Sequence, residues 1–176
     1  MSFADPQTNL QSFGLEPGME VADLGAGPGH YTLAAARMVG EKGHVCAVEI
    51  QKDLVEKVKN QAEREGLTQV DVVWSDLEKP GGSMLDDTTV DVVILSNVLF
   101  QVKDKDVLLA EAARILRSGG RALVIDWSDT HGGLGPPEDH LISIDELKQL
   151  AASSGLQFMQ KLGVGAHHWG AILQKS

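Results

Sequence analysis

Three glycines on alternate positions, Gly25, Gly27 and Gly29, follow directly on a short apolar segment, residues 19–24. The apolar segment carries one acid, Asp23, and a helix-compatible stretch begins near Tyr31. Glycines allow a sharp turn and let a ligand approach main-chain N–H groups without Cβ atoms in the way. The pattern therefore predicts the strand, tight turn and helix start with which a doubly wound α/β sheet holds a nucleotide-like cofactor at its edge.

The spacing of these glycines disfavours a dinucleotide. The dinucleotide fingerprint Gly-x-Gly-x-x-Gly would need its third glycine at position 30, which is His30, whereas here it comes one residue early. An acid at Asp23 would also repel a pyrophosphate. A ligand with a cationic amino group and no phosphate fits this turn better.

The rest of the chain alternates predicted strands with predicted helices. Further strands are expected at residues 44–49, 70–74, 90–96 and 121–126, helices at 52–65, 103–116 and 143–154, and two closing strands at 156–161 and 169–174. Ser143 and Glu146 have the spacing of a capping box. Residues 2–18 are polar and read as irregular. We expect one domain, residues 19–176, behind an N-terminal extension, residues 1–18, that is a candidate lid.

Composition narrows the functional class. The chain has 176 residues, of which 43% are hydrophobic and 23% charged, as in ordinary globular proteins. The net charge is −10 and no Lys/Arg cluster is present, which disfavours nucleic acid as a partner. Neither a membrane-spanning apolar run nor a signal-peptide pattern is evident, and Cys46 is the only cysteine. These features favour a cytoplasmic location.

The order of motifs resembles the class I S-adenosylmethionine-dependent methyltransferases over nearly the whole chain. The first motif reads Asp-Leu-Gly-Ala-Gly-Pro-Gly from Asp23, Glu49 closes the second strand, Asp76-Leu77 follows the third, and Asn97 follows the fourth. The resemblance implies a mostly parallel, doubly wound seven-stranded sheet in the order 3-2-1-4-5-7-6, with an antiparallel last strand and helices on both faces. It also implies S-adenosylmethionine as cofactor and S-adenosylhomocysteine as product.

The same resemblance implies the residues that contact the cofactor. Glu49 would accept hydrogen bonds from both ribose hydroxyls, and Asp76 would accept from the adenine amino group. Asn97 would lie beside the methionine part. The expected cofactor-binding residues are Asp23, Gly25, Ala26, Gly27, Gly29, Tyr31, Glu49, Ile50, Asp76, Leu77, Asn97 and Leu99.

Catalytic residues are harder to find because the sulfonium charge already activates the methyl group. A general base is needed only when the acceptor must lose a proton. The candidates are Asn97 and His140, the latter in the Gly- and Pro-rich loop after the fifth strand. A metal site built from Asp126, His131 and His140 lacks tight ligand spacing, and no metal is expected.

The leading hypothesis is methyl transfer to a small molecule whose identity and acceptor atom stay open, as does the oligomeric state. One alternative is a protein side-chain methyltransferase, since only residues 1–18 and 127–142 are available to cover the pocket. Another is a non-catalytic regulatory subunit that binds S-adenosylmethionine. A nicotinamide-dependent oxidoreductase is disfavoured by His30 and by the lack of a second domain.

Overall fold

The computed structural model describes residues 5–176, which form a single seven-stranded sheet with helices on both faces. The strands are β1 (Glu20–Leu24), β2 (His44–Glu49), β3 (Val70–Trp74), β4 (Val90–Ser96), β5 (Leu116–Trp127), β6 (Leu156–Leu162) and β7 (His168–Lys175). The helices are α1 (Pro6–Phe13), α2 (His30–Val39), α3 (Lys52–Arg64), α4 (Lys105–Ile115) and α5 (Ile144–Ser153). None of the helices described is long and apolar enough to cross a membrane.

The strand order is β3-β2-β1-β4-β5-β7-β6, which confirms the predicted topology. Strands β1 to β5 run parallel, and β7 is antiparallel to both β5 and β6. After β1 the chain forms β2 and β3 on one side of β1. It then crosses to the other side of β1, where β4 pairs with it. In such sheets a crevice opens where the strand order reverses, at the carboxyl ends of β1 and β4.

Apolar strands buried on both faces hold the sheet together. In β4, the central strand, Leu95 packs into the cluster on one face and Ile94 into the cluster on the other. Adjacent side chains of a strand point to opposite faces, so a continuous apolar run is what a strand between two helical layers requires. The prediction of a central fourth strand is confirmed.

The N-terminal segment contains a helix that the sequence analysis missed. Helix α1 begins after Asp5, whose carboxylate accepts a hydrogen bond from the Thr8 N–H at 2.8 Å, and ends at Gly14 in the left-handed region. Leu10 and Phe13 are buried in the core. The expectation of irregular structure was thus wrong for residues 6–13, because two anchoring apolar residues and both caps outweigh the polar composition; residues 1–4 lie outside the described part of the chain.

Strand β5 is longer than predicted, and helix α4 shorter. Leu116, placed in the helix by its apolar spacing, pairs with Val90 in the sheet, and a register shift follows before Arg121 pairs with Val92. The predicted capping box of α5 is confirmed: the Ser143 hydroxyl accepts from the Glu146 N–H, and the Glu146 carboxylate accepts from the Ser143 N–H.

A buried carboxylate ties the loop before β4 to helix α4. Glu111 is 4% exposed and accepts hydrogen bonds from the Ser83 N–H at 2.9 Å and the Arg114 guanidinium at 2.8 Å. Burial acts to raise the pKa of Glu111, but the hydrogen bonds from Arg114 and Ser83 outweigh it and bring the pKa to about 2. The charged form is therefore part of the folded structure.

We expect Glu111→Gln to lower the free energy of unfolding by about 2–3 kcal/mol at pH 7, since it leaves the Arg114 charge without its buried partner. The deficit relative to the parent should shrink as the pH falls from about 4.5 toward 2, where the parent carboxylate is protonated too. Urea unfolding across this pH range measures it. Glu63→Gln, at an exposed position on α3, is the control, and an equal loss there would contradict the account.

Candidate functional site

A cavity of about 870 Å³ opens at the carboxyl ends of β1, β2, β3 and β4. Its walls include Asp23 and the residues at and directly after the ends of these strands, residues 25–28, 49–51, 75–78 and 96–98. The volume lies within the range of small-molecule and cofactor sites, roughly 300–1,000 Å³. The cavity therefore occupies the crevice at the reversal of strand order.

The turn after β1 is shaped by its glycines. A Cβ atom on Gly25 would lie 2.6 Å from Cγ2 of Val98, so only glycine lets the turn approach the segment after β4 this closely. Gly27 has a φ of +54°, and a Cβ atom there would meet nothing within 4 Å. The backbone at Gly27 is thus open to a ligand on the side where a side chain would stand.

The Glu49 carboxylate, 6% exposed, holds this turn against the end of β2. Its Oε2 atom accepts a hydrogen bond from the Gly27 N–H at 2.8 Å. Its Oε1 atom accepts from the N–H groups of Ile50 and Gln51, both at 2.9 Å. A carboxylate has about four lone-pair positions, so it retains acceptor capacity toward the cavity.

Asp23 lies at the floor of the cavity and is 1% exposed. Its Oδ2 atom accepts a hydrogen bond from the Thr32 hydroxyl at 2.6 Å. Burial raises the pKa of Asp23 to about 6, and the nearby charge of Glu49 adds to the rise, while the Thr32 hydrogen bond opposes it. A cation brought into this cavity would favour the ionised form of Asp23.

Asp76 and Leu77 form the wall after β3. The Asp76 side chain is 31% exposed, and its Oδ1 atom accepts from the Glu78 N–H at 3.0 Å, while Lys79 Nζ is 3.8 Å from Oδ2. Leu77 is buried and packs into the core. The exposed Ile50 side chain lines the same cavity. A flat apolar ring that packs against Ile50 would have the Asp76 carboxylate at the edge of the ring.

Asn97 lines the cavity in a left-handed backbone conformation. It has a φ of +54°, unusual for a residue other than glycine, and its N–H donates to the Ile125 carbonyl at 2.8 Å. Its Oδ1 atom is buried without a hydrogen-bond partner in the described part of the chain. A buried polar atom without a partner is common at ligand sites.

Most residues expected to contact the cofactor are brought together here. Those that line the cavity are Asp23, Gly25, Ala26, Gly27, Tyr31, Glu49, Ile50, Asp76, Leu77 and Asn97. Gly29 is instead packed against α3, where a Cβ atom would lie 2.6 Å from Val58, and Leu99 is fully buried in the core. Neither of these two lines the cavity.

His140, the second catalytic candidate, lies in a short 3₁₀ helix, Glu138–His140, and is exposed. It does not line the cavity. Asp126 is 1% exposed and accepts from the Trp127 and Phe100 N–H groups, and burial raises its pKa to about 6. Asp126 does not line the cavity either.

The far end of the cavity is lined by Gln101, Val102, Trp127 and His168, none of which is among the residues expected to contact the cofactor or to act in catalysis. Trp127 ends β5 and His168 begins β7, and the two pair in the sheet with their rings 4.3 Å apart. The predicted antiparallel position of β7 beside β5 was the signal that could have placed them together.

Comparison with known proteins decides the family. A family model described as a methyltransferase domain matches residues 15–173. The chain belongs to this methyltransferase family. A solved S-adenosylmethionine-dependent methyltransferase from Aquifex aeolicus is 29% identical, with a TM-score of 0.89 over 99% of this chain and 91% of that one. Motifs, fold and relatives together make this a class I methyltransferase domain whose cofactor is S-adenosylmethionine.

Among curated proteins, a ubiquinone/menaquinone biosynthesis C-methyltransferase of Vibrio vulnificus is 34% identical over 116 residues. The match covers 65% of this chain and 44% of the relative, so the chain spans less than half the length of that protein. The [4+2]-cyclase SpnF has a TM-score of 0.81 at 14% identity, a likeness of fold alone.

The raised pKa of Asp23 predicts a pH-dependent cost of folding. Because the folded protein holds this proton up to about pH 6 and the unfolded chain releases it near 3.8, stability should fall as the pH rises between these values. Asp23→Asn keeps an acceptor for Thr32 and removes the charge. We expect the free energy of unfolding of the variant, relative to the parent, to rise by about 2–3 kcal/mol from pH 4 to pH 7. Denaturant unfolding of both proteins measures it, and parallel pH profiles would contradict it.

Proposed function

We propose that this methyltransferase domain transfers the methyl group of S-adenosylmethionine to a small-molecule acceptor. The observation that supports this most strongly is that one cavity joins the glycine turn to two carboxylates, Glu49 and Asp76, after successive strands. The acidic lining suits a cofactor that is cationic and carries no phosphate. It also agrees with the glycine spacing of the turn, which disfavours a dinucleotide.

Glu49 is proposed to bind the ribose hydroxyls. Its carboxylate is already oriented by three backbone N–H groups, so little conformational freedom is lost when it accepts further hydrogen bonds. Three of about four lone-pair positions are already occupied, so one position, on Oε2 next to Gly27, is free for a hydroxyl. The second hydroxyl would have to displace one of the backbone N–H groups. Asp76 is proposed to accept from the adenine amino group, with Ile50 and Leu77 beside the ring.

Asp23 and Asn97 are proposed to hold the amino-acid end of the cofactor. The unpaired Oδ1 atom of Asn97 is an acceptor that a primary ammonium would satisfy. The buried carboxyl of Asp23 lies near enough to the cavity to favour a positive charge there. Gly25, Gly27 and Gly29 are proposed to shape the turn over which this end of the cofactor passes. Tyr31 is proposed to form the boundary of this part of the cavity.

Bound S-adenosylmethionine supplies an electrophilic methyl group and a neutral thioether leaving group. The protein's contribution is alignment and exclusion of water, which lower the barrier of an in-line displacement. Gln101, Val102, Trp127 and His168, at the far end of the cavity, are proposed to hold the acceptor. This mixed apolar and aromatic lining favours a small aromatic acceptor, in line with the names of the quinone-biosynthesis relatives.

We further propose that residues 1–18 act as a lid on the domain of residues 19–176. Asp5, Pro6 and Gln7 line the cavity, while Leu10 and Phe13 anchor the same helix in the core. The Asn9 amide donates to the Tyr31 hydroxyl at 2.9 Å, which links α1 to the start of α2 beside the cavity. A cytoplasmic location, where the cofactor is made and consumed, accords with this function.

We predict that Glu49→Ala and Asp76→Ala each weaken S-adenosylmethionine binding by about 1–3 kcal/mol, the scale of a lost hydrogen bond to a charged group. Isothermal titration calorimetry with the cofactor measures the change. Glu63→Ala, an exposed acid on α3, is the matched control and should bind as the parent does. Unchanged affinity in both cavity variants would remove these carboxylates from the site.

The function itself is tested in two steps. Calorimetry with S-adenosylmethionine, S-adenosylhomocysteine and NAD should give saturable binding of the first two alone; binding of NAD alone would overturn the proposal. Transfer of a labelled methyl group is then measured against a panel of phenolic and quinol acceptors and against protein substrates. Labelling of proteins alone would favour a protein methyltransferase, and cofactor binding without any transfer would favour a regulatory subunit.

A further inference from the structure

A cluster of two imidazoles and a carboxylate lies at the end of β5, beside the cavity but outside it. Asp129 and His131 belong to the loop after β5, and His167 precedes β7. One ligand-type atom from each of the three side chains lies within 4.8 Å of the others. Sequence spacing did not reveal this cluster, because Asp129 and His167 are 38 residues apart.

The cluster is held in place by both backbone and side chains. The Asp129 carboxylate lies 2.9 Å from His167 Nδ1 and accepts from the His131 N–H at 2.7 Å. The imidazole rings of His131 and His167 have centroids 3.7 Å apart. The Ser128 N–H donates to the His167 carbonyl at 2.9 Å and so joins the two loops. The three side chains therefore converge from two segments on one point.

Packing alone gives a poor account of this arrangement. His131 and His167 have φ values of +42° and +65°, in the left-handed region, which is uncommon for residues other than glycine although asparagine, aspartate and histidine adopt it more often than the rest. The His167 nitrogen that faces the cluster is Nδ1, next to the Asp129 carboxylate. Uncommon backbone conformations at two residues that converge on one carboxylate are what a ligand-binding role would explain.

We propose that Asp129, His131 and His167 bind a divalent transition-metal ion, with Zn²⁺ as the reference. Two imidazole nitrogens and one carboxylate oxygen suit zinc and its neighbours, whereas Mg²⁺ and Ca²⁺ prefer sites made of oxygen atoms alone. Zinc ligands at about 2.0–2.2 Å lie roughly 3.4 Å from one another. Side-chain rotations that move the ligand atoms inward by about 1 Å would close the cluster around the ion.

The position of the cluster assigns the ion a structural role. Trp127, two residues before Asp129, and His168, next to His167, both line the proposed acceptor end of the cavity. An ion bound at the cluster would clamp the loop after β5 to the start of β7 directly behind this wall. The metal site does not depend on the proposed methyl transfer, since none of its three ligands lines the cavity.

The test uses the full chain, treated with a chelator and free of a polyhistidine tag. Calorimetric titration with ZnCl₂ should show one saturable site, and Co²⁺ should produce the visible absorption of a tetrahedral complex. His131→Asn and His167→Asn should each weaken zinc binding by at least about tenfold, since even loss of an outer-shell partner costs about that much. Asparagine is chosen because it tolerates a positive φ. Zn²⁺ should raise the melting temperature of the parent and not that of either variant.

His140→Asn is the matched control, because His140 is an exposed histidine near the same loop. It should bind zinc as the parent does. Asp129→Asn removes the carboxylate ligand and leaves the backbone positions of both histidines unchanged. It should also weaken zinc binding. Absence of a one-to-one site in the parent, equal affinity in the parent and the His167 variant, an equal loss in the control, or Mg²⁺ binding as tight as Zn²⁺ binding would each overturn the proposal.

Discussion

The carboxylate of Glu49 is the contact on which the geometry of the site depends. It accepts hydrogen bonds from the turn after β1, at Gly27, and from the backbone after β2, at Ile50 and Gln51. The Gly25 and Ala26 N–H groups donate to the Val48 carbonyl, and the carboxylate extends this link between the two strand ends to Gly27. The carboxylate fixes the spacing of these segments where the cavity opens.

Buried acids elsewhere at the ends of the strands show what this architecture costs. Asp23 and Asp126 both lie in the core at positions where burial raises the pKa of each carboxyl to about 6. A protein selected for stability alone would place apolar residues there. Of the two, Asp23 lies at the reversal of strand order and lines the cavity, where the proposed cationic cofactor would offset the cost of its charge.

The sheet was predictable from sequence because its signals are local. The ends of β2, β3 and β4 matched the predicted residues, since each strand is an apolar run ended by turn residues or charges. Helix α1 was missed because its burial depends on contacts of Leu10 and Phe13 with the distant core. The helix-to-strand change at Leu116 was missed because pairing with Val90 overrides the apolar helical spacing.

The site was predictable where motif residues follow strands, and less so elsewhere. Asp23, Glu49 and Asp76 line one cavity because parallel strands end at the same edge of the sheet. Leu99 and Gly29 were expected beside the ligand and lie in packing positions instead, since sequence order does not reveal which side of a turn faces the core. The cluster of Asp129 with His167 depends on the antiparallel return of β7, which brings distant loops together.

The most direct measurement is a crystal structure of the chain with S-adenosylhomocysteine. The account predicts the ribose hydroxyls within hydrogen-bond distance of Glu49, the adenine amino group at Asp76, and the amino-acid end between the glycine turn and Asn97. A complex in which the product lies outside this cavity, or in which Glu49 and Asp76 make no contact with it, would contradict the account.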